Sequence, residues 1–235
     1  MEAEATPFVE HLELTLQEVF FPPQVPFLAY TGTHGAVTVT VVTNGKDVVY
    51  DTTADNVGTM SASMATFLAL QAVNADILIN AGTAGGFQRK GAAIGDVFLT
   101  TAVAFHDRRI PIPGYDTYGT GKIETSFDPA KMAAAHNWKL GVCSTGNSLD
   151  KTAECDERML ANDAAVKDME AASIAWSAAL HKTTFLGVKV VTDIVDGDVP
   201  THEEFLQNLA TASQKLQQAL PQVLEYVSGK EHHEL

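Results

Sequence analysis

The chain has 235 residues, of which 46% are hydrophobic, and its mean hydropathy of +0.02 is typical of a globular protein. This length suits one α/β domain with a substantial core, and we predict a single domain over residues 1–235. The formal net charge of −14 argues against binding to nucleic acid through a basic surface. No apolar run approaches the roughly 20 residues that span a bilayer, so a membrane is not an expected partner either.

The sequence also carries signals about its compartment. The N-terminal stretch MEAEATPFVEHLEL is acidic and lacks the basic region and long apolar run of a signal peptide. Cys143 and Cys155 are the only cysteines, too few for a disulfide framework. Cys143 lies inside a predicted strand and is interpreted as a small core residue rather than a nucleophile. We therefore expect a cytoplasmic protein.

The first third of the chain predicts two helices with a β-hairpin between them. Phe8, Leu12 and Leu16 would form the apolar face of the first helix. Met64 and Phe67 would lie on the inner side of the second helix. In chain order, the predicted elements are a helix over 1–18, strands over 27–31 and 36–43 with a turn at Thr33-His34-Gly35, an irregular segment over 48–56 and a helix over 58–73.

The rest of the chain alternates short apolar runs with helical patterns. This alternation predicts a three-layer α/β/α domain with a mixed, twisted central sheet. Residues 106–125, rich in Pro, Gly and Tyr, are predicted to form a long loop. Pro221 should break or kink the closing helix, and the final GKEHHEL should be a frayed tail. The predicted strands are 76–80, 96–103, 139–144 and 185–191, and the predicted helices are 154–159, 170–180 and 203–227.

Three stretches hold candidates for chemistry. Asp193 follows the apolar run 186–191, at the carboxyl end of a predicted parallel strand, where open α/β sheets collect ligands. Taken alone, an acid at that place is better interpreted as a cap. Residues 80–87, NAGTAGGF, form a Gly-rich stretch after a predicted strand that would let backbone N–H groups approach a ligand. Residues 166–176 predict the start of a helix with Glu170 in its first turn, where an acid also complements the helix dipole.

Six motifs follow one another along the chain: NAGTAGG, AIGDVFL, FHDRRIPIPGYDTYG, STGNSLD, KDMEAASIA and VKVVTDIVDGD. In this order they resemble the 5′-methylthioadenosine/S-adenosylhomocysteine nucleosidase family, most of all its plant-type branch. The resemblance runs from Met1 to about Leu209, and its motifs are specific only in combination. It implies a nucleoside phosphorylase-like fold. It also implies hydrolysis of the N9–C1′ bond of 5′-methylthioadenosine to adenine and the thioribose, in methionine salvage.

The resemblance implies two carboxyl groups with opposite roles. Cleavage leaves negative charge on adenine unless N7 is protonated, and it makes the ribose oxocarbenium-like, so the site needs an acid at the base and anions near the sugar. Asp193 matches the family's acid at N7, a role that requires a raised pKa. Glu4 matches the carboxylate that activates water. The division of roles is the same as in inverting glycoside hydrolases.

The resemblance also implies a substrate-binding set. Glu170 matches the residue that accepts hydrogen bonds from the ribose hydroxyls. Met169 would pack against the ribose and base, although its helical spacing fits a plain core methionine equally well. Leu149 matches the position whose backbone meets the adenine edge. The remaining members are Thr83, Ala84 and Gly85 along the sugar and base, Thr192 beside the acid, and Asp168 and Ala171 flanking the ribose-binding pair.

The 106–119 loop is implied to lie at the interface of a homodimer and to reach towards the partner's substrate. Its segment IPIPGYDTY is unusually apolar for an exposed loop, and exposed apolar patches mark interfaces. Pro113 and Tyr115 are therefore candidate contacts to the partner subunit. Arg108 and Arg109 are interpreted as solvated or salt-bridged rather than catalytic.

No cofactor and no metal are expected. His232 and His233 in the tail have no metal-ligand partner at a useful spacing. His202 falls near the pocket that would hold the 5′-alkylthio group, and a surface histidine before the last helix is an equally good interpretation.

One departure from the family pattern and two alternative functions remain. The family places a buried strand before the turn that Met1-Glu2-Ala3-Glu4 matches, and that strand is missing here, through either a different start or a true loss. A phosphorylase of the same fold would need a basic cluster for phosphate, to which Lys46 could belong, but not a water-activating Glu4. A non-catalytic storage-type relative would be marked by loss of the acid, whereas Asp193 and Glu170 are both present.

Overall fold

The computed structural model describes residues 1–230. The helices are α1 (Glu2–His11), α2 (Thr59–Ala72), α3 (Asp116–Thr120), α4 (Ala130–His136), α5 (Ala153–Ala161), α6 (Ala171–His181) and α7 (Thr201–Val227). The strands are β1 (Thr15–Leu16), β2 (Leu28–His34), β3 (Val37–Thr43), β4 (Ile77–Gly86), β5 (Val97–Phe105), β6 (Ile123–Glu124), β7 (Lys139–Thr145), β8 (Ala164–Asp168) and β9 (Thr184–Ile194). The predicted hairpin is confirmed as β2 and β3, which turn at Gly35 with a φ of 57°.

The strands form a small antiparallel sheet, β1-β2-β3, and a larger mixed sheet, β6-β5-β7-β8-β4-β9. In the larger sheet β4 and β9, β5 and β7, and β7 and β8 run parallel, whereas β4 and β8 are antiparallel. A further antiparallel pairing joins β5 to β9, so that five strands close into a barrel. The mixed sheet is therefore confirmed, and the structure adds that it closes on itself.

Strand β9 lies between two helical layers. Its residues 185–193 are all buried, which explains why the sequence of this strand is an almost continuous apolar run. Leu186 and Val188 pack in one core cluster with Leu216 of α7. Phe185 packs in a second cluster with Ala175 of α6. The carboxyl end of β9 is thereby held between helices, beside the end of its neighbour β4, which in turn pairs with β8.

The first helix is shorter than predicted. It ends at His11 rather than continuing to residue 18, because Glu13 adopts a left-handed φ of 53° that breaks the helical path. Leu14 then turns into the core, and Leu16 joins β1 at the edge of the small sheet, where it is exposed. The structure describes no strand before α1.

Three strands differ from the prediction in ways that affect the cavity. β4 continues to Gly86, so most of NAGTAGGF is strand rather than turn. β9 continues to Ile194, so Asp193 lies within the strand. The buried strand β8 over residues 164–168 was not predicted, whereas the helix predicted over 170–180 is confirmed as α6, with Glu170 as the residue before it. The five residues of this strand, AAVKD, are too few to reveal their own period.

Smaller corrections apply elsewhere. Met64 and Phe67 are exposed, because alanines fill the inner face of α2 instead. Residues 106–125 contain α3 and β6 and are not a continuous loop, and the sequence prediction missed α4. Helix α7 continues through Pro221 without a break, its apolar face packed on the core. The predicted frayed tail falls mostly on residues 231–235, outside the described residues.

Candidate active site

The ends of β4, β8 and β9 and the beginnings of α1 and α6 surround one cavity of about 520 Å³. The cavity continues between β3 and β4 towards apolar side chains of α7, among them Leu216 and Leu220. Ala171, Pro113 and Tyr115 do not line it. The predicted site residues that do line it are Glu4, Thr83, Ala84, Gly85, Leu149, Asp168, Met169, Glu170, Thr192 and Asp193.

Glu4 is anchored by two groups that favour its ionised form. One carboxylate oxygen, Oε1, accepts hydrogen bonds from the backbone N–H and the hydroxyl of Thr83, both at 2.7 Å. The other, Oε2, lies 2.5 Å from the ammonium group of Met1. Burial by itself raises the pKa of Glu4, but the Met1 ammonium and the Thr83 hydrogen bonds outweigh it and lower the pKa below its ordinary value. Glu4 is therefore an anion at neutral pH and can accept a proton.

Asp193 has the opposite tendency. It is 4% exposed, and burial raises the pKa of its carboxyl group, with the charge of Glu204 acting in the same direction. A hydrogen bond from the hydroxyl of Thr192 to Asp193 Oδ1 at 2.8 Å and the charge of Lys167 oppose this rise but do not reverse it. Gly85 faces Asp193 across the β4–β9 pair. The site thus holds one carboxyl group with a raised pKa, that of Asp193, and one with a lowered pKa, that of Glu4.

Glu170 lies at the start of α6 and is held by another part of the chain. Its Oε1 accepts the backbone N–H of Gly58 at 2.7 Å, which ties the beginning of α2 to the cavity. Burial raises the pKa of Glu170, and the neighbouring charge of Asp168 adds to the rise, whereas Lys189 opposes it. Glu170 was expected in the first turn of a helix. It lies one residue earlier, at the N-cap position of α6.

Asp168 and Lys189 form a buried ion pair at the floor of the cavity. Asp168 Oδ2 lies 2.9 Å from Lys189 Nζ and also accepts the backbone N–H of Ala171 at 2.8 Å. Asp168 Oδ1 accepts the hydroxyl of Thr145 at 2.6 Å. The positive charge of Lys189 helps to hold the pKa of Asp168 below its ordinary value despite burial, and Asp168 in turn raises the pKa of Lys189. Ala171 thus serves the site through its backbone, although it does not line the cavity.

Lys189 also lies near Glu4. A Cβ atom built on Gly82 would be 3.4 Å from Glu4 Oε1 and 3.8 Å from Lys189 Nζ, so both groups border the same small space. Sequence reasoning assigned no role to Lys189 or to Lys167. The available signal was a charged residue within an otherwise apolar strand, which is rare unless the charge is paired.

Lys167 fastens the segment that contains Leu149. Its Nζ donates to the backbone carbonyls of Ser148 at 2.7 Å and Leu149 at 2.6 Å. Burial lowers the pKa of Lys167. The segment is also held at Asn147, which accepts hydrogen bonds from Thr59 and donates its backbone N–H to Asp107. The backbone at Leu149 is therefore fixed at the cavity wall, although its side chain is largely exposed.

The 106–119 segment makes its polar contacts within the chain. Arg108 donates to the carbonyls of Gly119 and Tyr118, and its guanidinium lies 4.0 Å from the ring centre of Phe105. Arg109 pairs with Glu154 at 3.4 Å, as the salt-bridged interpretation predicted. Pro113 and Tyr115 are exposed at the surface.

Among residues 1–230, the histidines and cysteines contribute no further candidates to the cavity. His106 is buried, with Nδ1 3.2 Å from Ser144 Oγ. His202 is exposed, 4.0 Å from Glu203, and does not line the cavity. Cys143 is fully buried, as predicted for a core residue, and burial raises the pKa of its thiol.

Residues 1–230 contain no cluster of His, Cys, Asp and Glu side chains that could hold a metal ion. In the same part of the chain, no helix is both long and apolar enough to cross a bilayer. The polar groups that line the cavity are carboxyl, amide, hydroxyl, ammonium and backbone groups, which suit a polar organic ligand.

Proteins similar to this chain in sequence and fold include nucleosidases. The Phosphorylase superfamily matches residues 1–225. A 5′-methylthioadenosine/S-adenosylhomocysteine nucleosidase of Arabidopsis thaliana is 43% identical over 98% of this chain and 90% of its own length. A 5′-methylthioadenosine nucleosidase of the same plant is 44% identical over 98% of this chain and 85% of its own length.

Solved structures agree with these relatives. The apo structure of Arabidopsis thaliana 5′-methylthioadenosine nucleosidase superposes with a TM-score of 0.96 at 43% identity, covering 100% of this chain and 96% of the other. A crystal structure described as the MTA/SAH nucleosidase gives the same TM-score at 42% identity, with the same coverage. The chain therefore belongs to the Phosphorylase superfamily and, within it, to the 5′-methylthioadenosine/S-adenosylhomocysteine nucleosidase family.

Proposed function

We propose that this chain is an N-glycosyl hydrolase that cleaves 5′-methylthioadenosine with water, releasing adenine and 5-methylthioribose, as a step in methionine salvage. One observation carries the proposal. The carboxyl groups of Asp193 and Glu4 line the same cavity, and their surroundings shift their pKa values in opposite directions. Such a pair supplies an acid and a base at the same pH, which is what hydrolysis of a glycosidic bond requires.

Asp193 is the proposed acid. Its protonated carboxyl group donates to N7 of the purine as the N9–C1′ bond breaks, so adenine leaves without a negative charge. Burial keeps the proton on Asp193 at a pH where an exposed aspartate would have lost it. The Thr192 hydroxyl, which donates to Asp193 Oδ1, leaves the second oxygen as the natural site of the transferred proton.

Glu4 is the proposed base. It takes a proton from the water that attacks C1′ of the ribose. Its Oε1 already accepts two hydrogen bonds from Thr83, whereas its Oε2 accepts one from Met1. A carboxylate oxygen has room for about two acceptor contacts, so Oε2 is the better position for water.

Glu170 is the proposed ribose-binding residue. Its carboxylate would accept hydrogen bonds from the ribose hydroxyls while Gly58 holds the side chain in place. A negative charge there also stabilises the oxocarbenium-like sugar of the transition state. Met169, Thr83, Ala84, Gly85 and the Leu149 backbone are proposed to enclose the base and sugar, and Thr192, Asp168 and Ala171 to support them.

The arrangement of cations favours water over phosphate as the nucleophile. Lys46 pairs with Asp55 at 2.9 Å and Glu2 at 3.1 Å and does not line the cavity. Lys189 is paired with Asp168, and Lys167 is bonded to backbone carbonyls. A phosphorylase would need such cations to be available for its anionic co-substrate.

The proposal is tested by the products. Purified protein should release adenine and free 5-methylthioribose from 5′-methylthioadenosine in phosphate-free buffer, as measured by chromatography. S-adenosylhomocysteine should be assayed in parallel, because one of the two Arabidopsis relatives is named for both nucleosides and the other for methylthioadenosine alone. A strict requirement for phosphate, with a sugar 1-phosphate as product, would refute hydrolysis.

Two variants separate the proposed acid from the ribose-binding residue. Asp193→Asn keeps the shape of the side chain and removes its donatable proton, so kcat should fall by about 10²–10⁴-fold with substrate binding retained. Glu170→Gln should raise KM as well as lower kcat, since its charge acts in the ground state and in the transition state. Near wild-type turnover by Asp193→Asn would show that the acid is misassigned.

We also propose a cytoplasmic homodimer of single-domain subunits. The two cysteines are unpaired, consistent with a reducing compartment. Ile112, Tyr115 and Tyr118 are exposed on the 106–119 segment, and the adjoining helices α2 and α6 expose further large apolar side chains. Exposed large apolar side chains in such number are typical of a surface buried between two copies of a chain.

A further inference from the structure

The pairing of β4 with β9 is irregular beside Asp193. Ala84 lies opposite Val191, but the next residue, Gly85, lies opposite Asp193, so the register skips Thr192. An extra residue of this kind re-aims the side chains that follow it, as at a β-bulge. The direction of the Asp193 carboxyl group therefore depends on what holds the backbone of β9 on either side of it.

Two side chains of α7 hold that backbone. Asn208 donates from Nδ2 to the carbonyl of Thr192 at 3.0 Å. Glu204 accepts the N–H of Ile194 on its Oε2 at 2.8 Å. Asn208 Nδ2 also donates to the backbone carbonyl of Glu204 at 2.9 Å, which ties the Asn208 side chain to the helix one turn earlier. Backbone groups immediately before and after Asp193 are thus bonded to the same turn of α7.

We propose that Glu204 and Asn208 are positioning residues for Asp193, fixing the irregular end of β9 so that its carboxyl group faces the purine. The inference rests on the proposed function, in which Asp193 is the acid. Neither residue lines the cavity, so both act on the reaction through Asp193 and not through contact with the nucleoside.

Glu204 also acts on Asp193 through its charge. The groups that influence the Asp193 carboxyl are the Thr192 hydroxyl on β9, the Lys167 ammonium on β8 and the Glu204 carboxylate on α7, and β4 presents Gly85 there, without a charge. Thr192 and Lys167 lower the pKa of Asp193, and Glu204 raises it. The carboxylate that holds Ile194 therefore also opposes Lys167 and favours the protonated acid.

Glu204→Gln separates charge from position, because its amide oxygen can still accept the Ile194 N–H. We expect the alkaline limb of the kcat–pH profile to move to lower pH by up to about one unit, with the maximal kcat nearly unchanged. Glu204→Ala loses the hydrogen bond too, and its maximal kcat should fall about tenfold to a hundredfold. Glu203→Gln removes an equal charge from an exposed neighbour on the same turn and should leave the profile in place.

Asn208→Ala tests position without charge. Its maximal kcat should fall about tenfold to a hundredfold while the alkaline limb stays where it is. Gln207→Ala, exposed beside it, is the matched control. Thermal unfolding and circular dichroism identify any variant that fails to fold. For this reason the profile of Glu204→Gln, which keeps the hydrogen-bonding shape, decides the charge effect.

The possible outcomes separate this inference from the proposed function. If Asp193→Asn keeps its turnover, the acid is misassigned, and both the proposed mechanism and this inference are refuted. If Asp193→Asn is inactive but Glu204→Gln leaves the limb unmoved, or Glu203→Gln moves it equally, the charge effect is refuted and the proposed function stands. If folded Glu204→Ala and Asn208→Ala keep the wild-type maximal kcat, the positioning role is refuted.

Discussion

Gly85 and Asp193 lie so close together that the carboxyl group of Asp193 leaves no room for a side chain at position 85. A Cβ atom on Gly85 would lie 2.7 Å from Asp193 Oδ2 and 2.6 Å from Cγ2 of Val195. Both distances are well inside ordinary contact, so glycine at position 85 is what leaves room for the carboxyl group. Glycine at this point of β4 leaves room for neighbouring side chains and does not form a turn.

Gly85→Ala is therefore expected to displace Asp193. Overpacking of this kind costs about 1–3 kcal/mol of unfolding free energy. A shift of the acid by about 1 Å can reduce turnover by about 10²-fold, so kcat should fall by that order in protein that remains folded. The measurement is kcat for 5′-methylthioadenosine together with thermal unfolding.

Gly91→Ala provides the control for that variant. Gly91 has a φ of 75° and no heavy atom near the place of a Cβ, so alanine there strains the backbone without touching the site. It should lower stability by about 1 kcal/mol and leave kcat of the folded protein unchanged. Equal kcat losses in both variants would contradict a local collision at Asp193.

Asp193→Asn should stabilise the protein as pH rises. The folded state raises the pKa of Asp193 above its ordinary value of 3.8, chiefly through burial. The stability that comes from protonated Asp193 is complete below the unfolded pKa and is lost as pH rises through the folded pKa. Asparagine has no proton to lose. Above about pH 4, the melting temperature of the variant should therefore increase with pH relative to that of the wild type.

The comparison of melting temperatures needs a control for net charge. Asp198→Asn removes one negative charge from an exposed residue in the turn after the same strand. It should show no comparable gain with pH. A constant difference between Asp193→Asn and wild type across the pH range would mean that burial does not shift the Asp193 carboxyl.

The sequence locates four of the five barrel strands, and Asp193 at the end of one of them, for a physical reason. A parallel strand buried on both faces must be almost continuously apolar, so Leu186 to Val191 stand out, and Asp193 follows directly. The same logic failed for β8, because residues 164–168 are too short to show whether their period is that of a strand or a helix. The end of α1 was missed because a glutamate, Glu13, takes a left-handed conformation more typical of glycine.

The supporting contacts of the site were beyond prediction because they depend on tertiary packing. Asp168 and Lys189 meet only because β8 and β9 lie on either side of β4 in the barrel. Gly58 reaches Glu170 across 112 positions of sequence. The motifs identify candidate site residues. Strand order and helix packing determine which of these residues are in contact in the folded chain.

The Asp168–Lys189 pair should behave as a buried ion pair. Replacing one partner leaves the other charge uncompensated, so Lys189→Met or Asp168→Asn should each cost about 3–5 kcal/mol in unfolding free energy. The double variant Asp168→Asn with Lys189→Met should lose clearly less than the sum of the two single losses. Chemical denaturation of the four proteins measures the coupling.

The exposed pair Lys122 and Glu124 serves as its comparison. These side chains lie 2.8 Å apart but are largely solvated, so Lys122→Met should change stability by about 1 kcal/mol or less. If the Lys189 single variant costs no more than this surface variant, the interior pair does not hold the floor of the cavity together.

Homodimerisation is expected to depend on one apolar surface, here called the α2–α6 face, formed by Met60, Met64, Phe67, Trp176 and Leu180. These residues are exposed, and they recur at helical spacing on two helices that pack side by side. Phe67 contacts His181 between the two helices, with ring centres 4.8 Å apart. Asn147 links the start of α2 to Asp107 at the base of the 106–119 segment.

Light scattering at micromolar concentration should therefore give twice the 25.1 kDa mass of one chain. Trp176→Glu places a charge on a side chain that is 49% exposed in one chain and buried in the proposed dimer, so it should produce monomers. Val19→Glu makes the same change at an exposed residue outside the α2–α6 face and should remain dimeric. A wild-type monomer, or a Trp176→Glu dimer as tight as wild type, would place the interface elsewhere or remove it. If the monomer also shows a raised KM, the partner subunit completes the substrate site through its 106–119 segment.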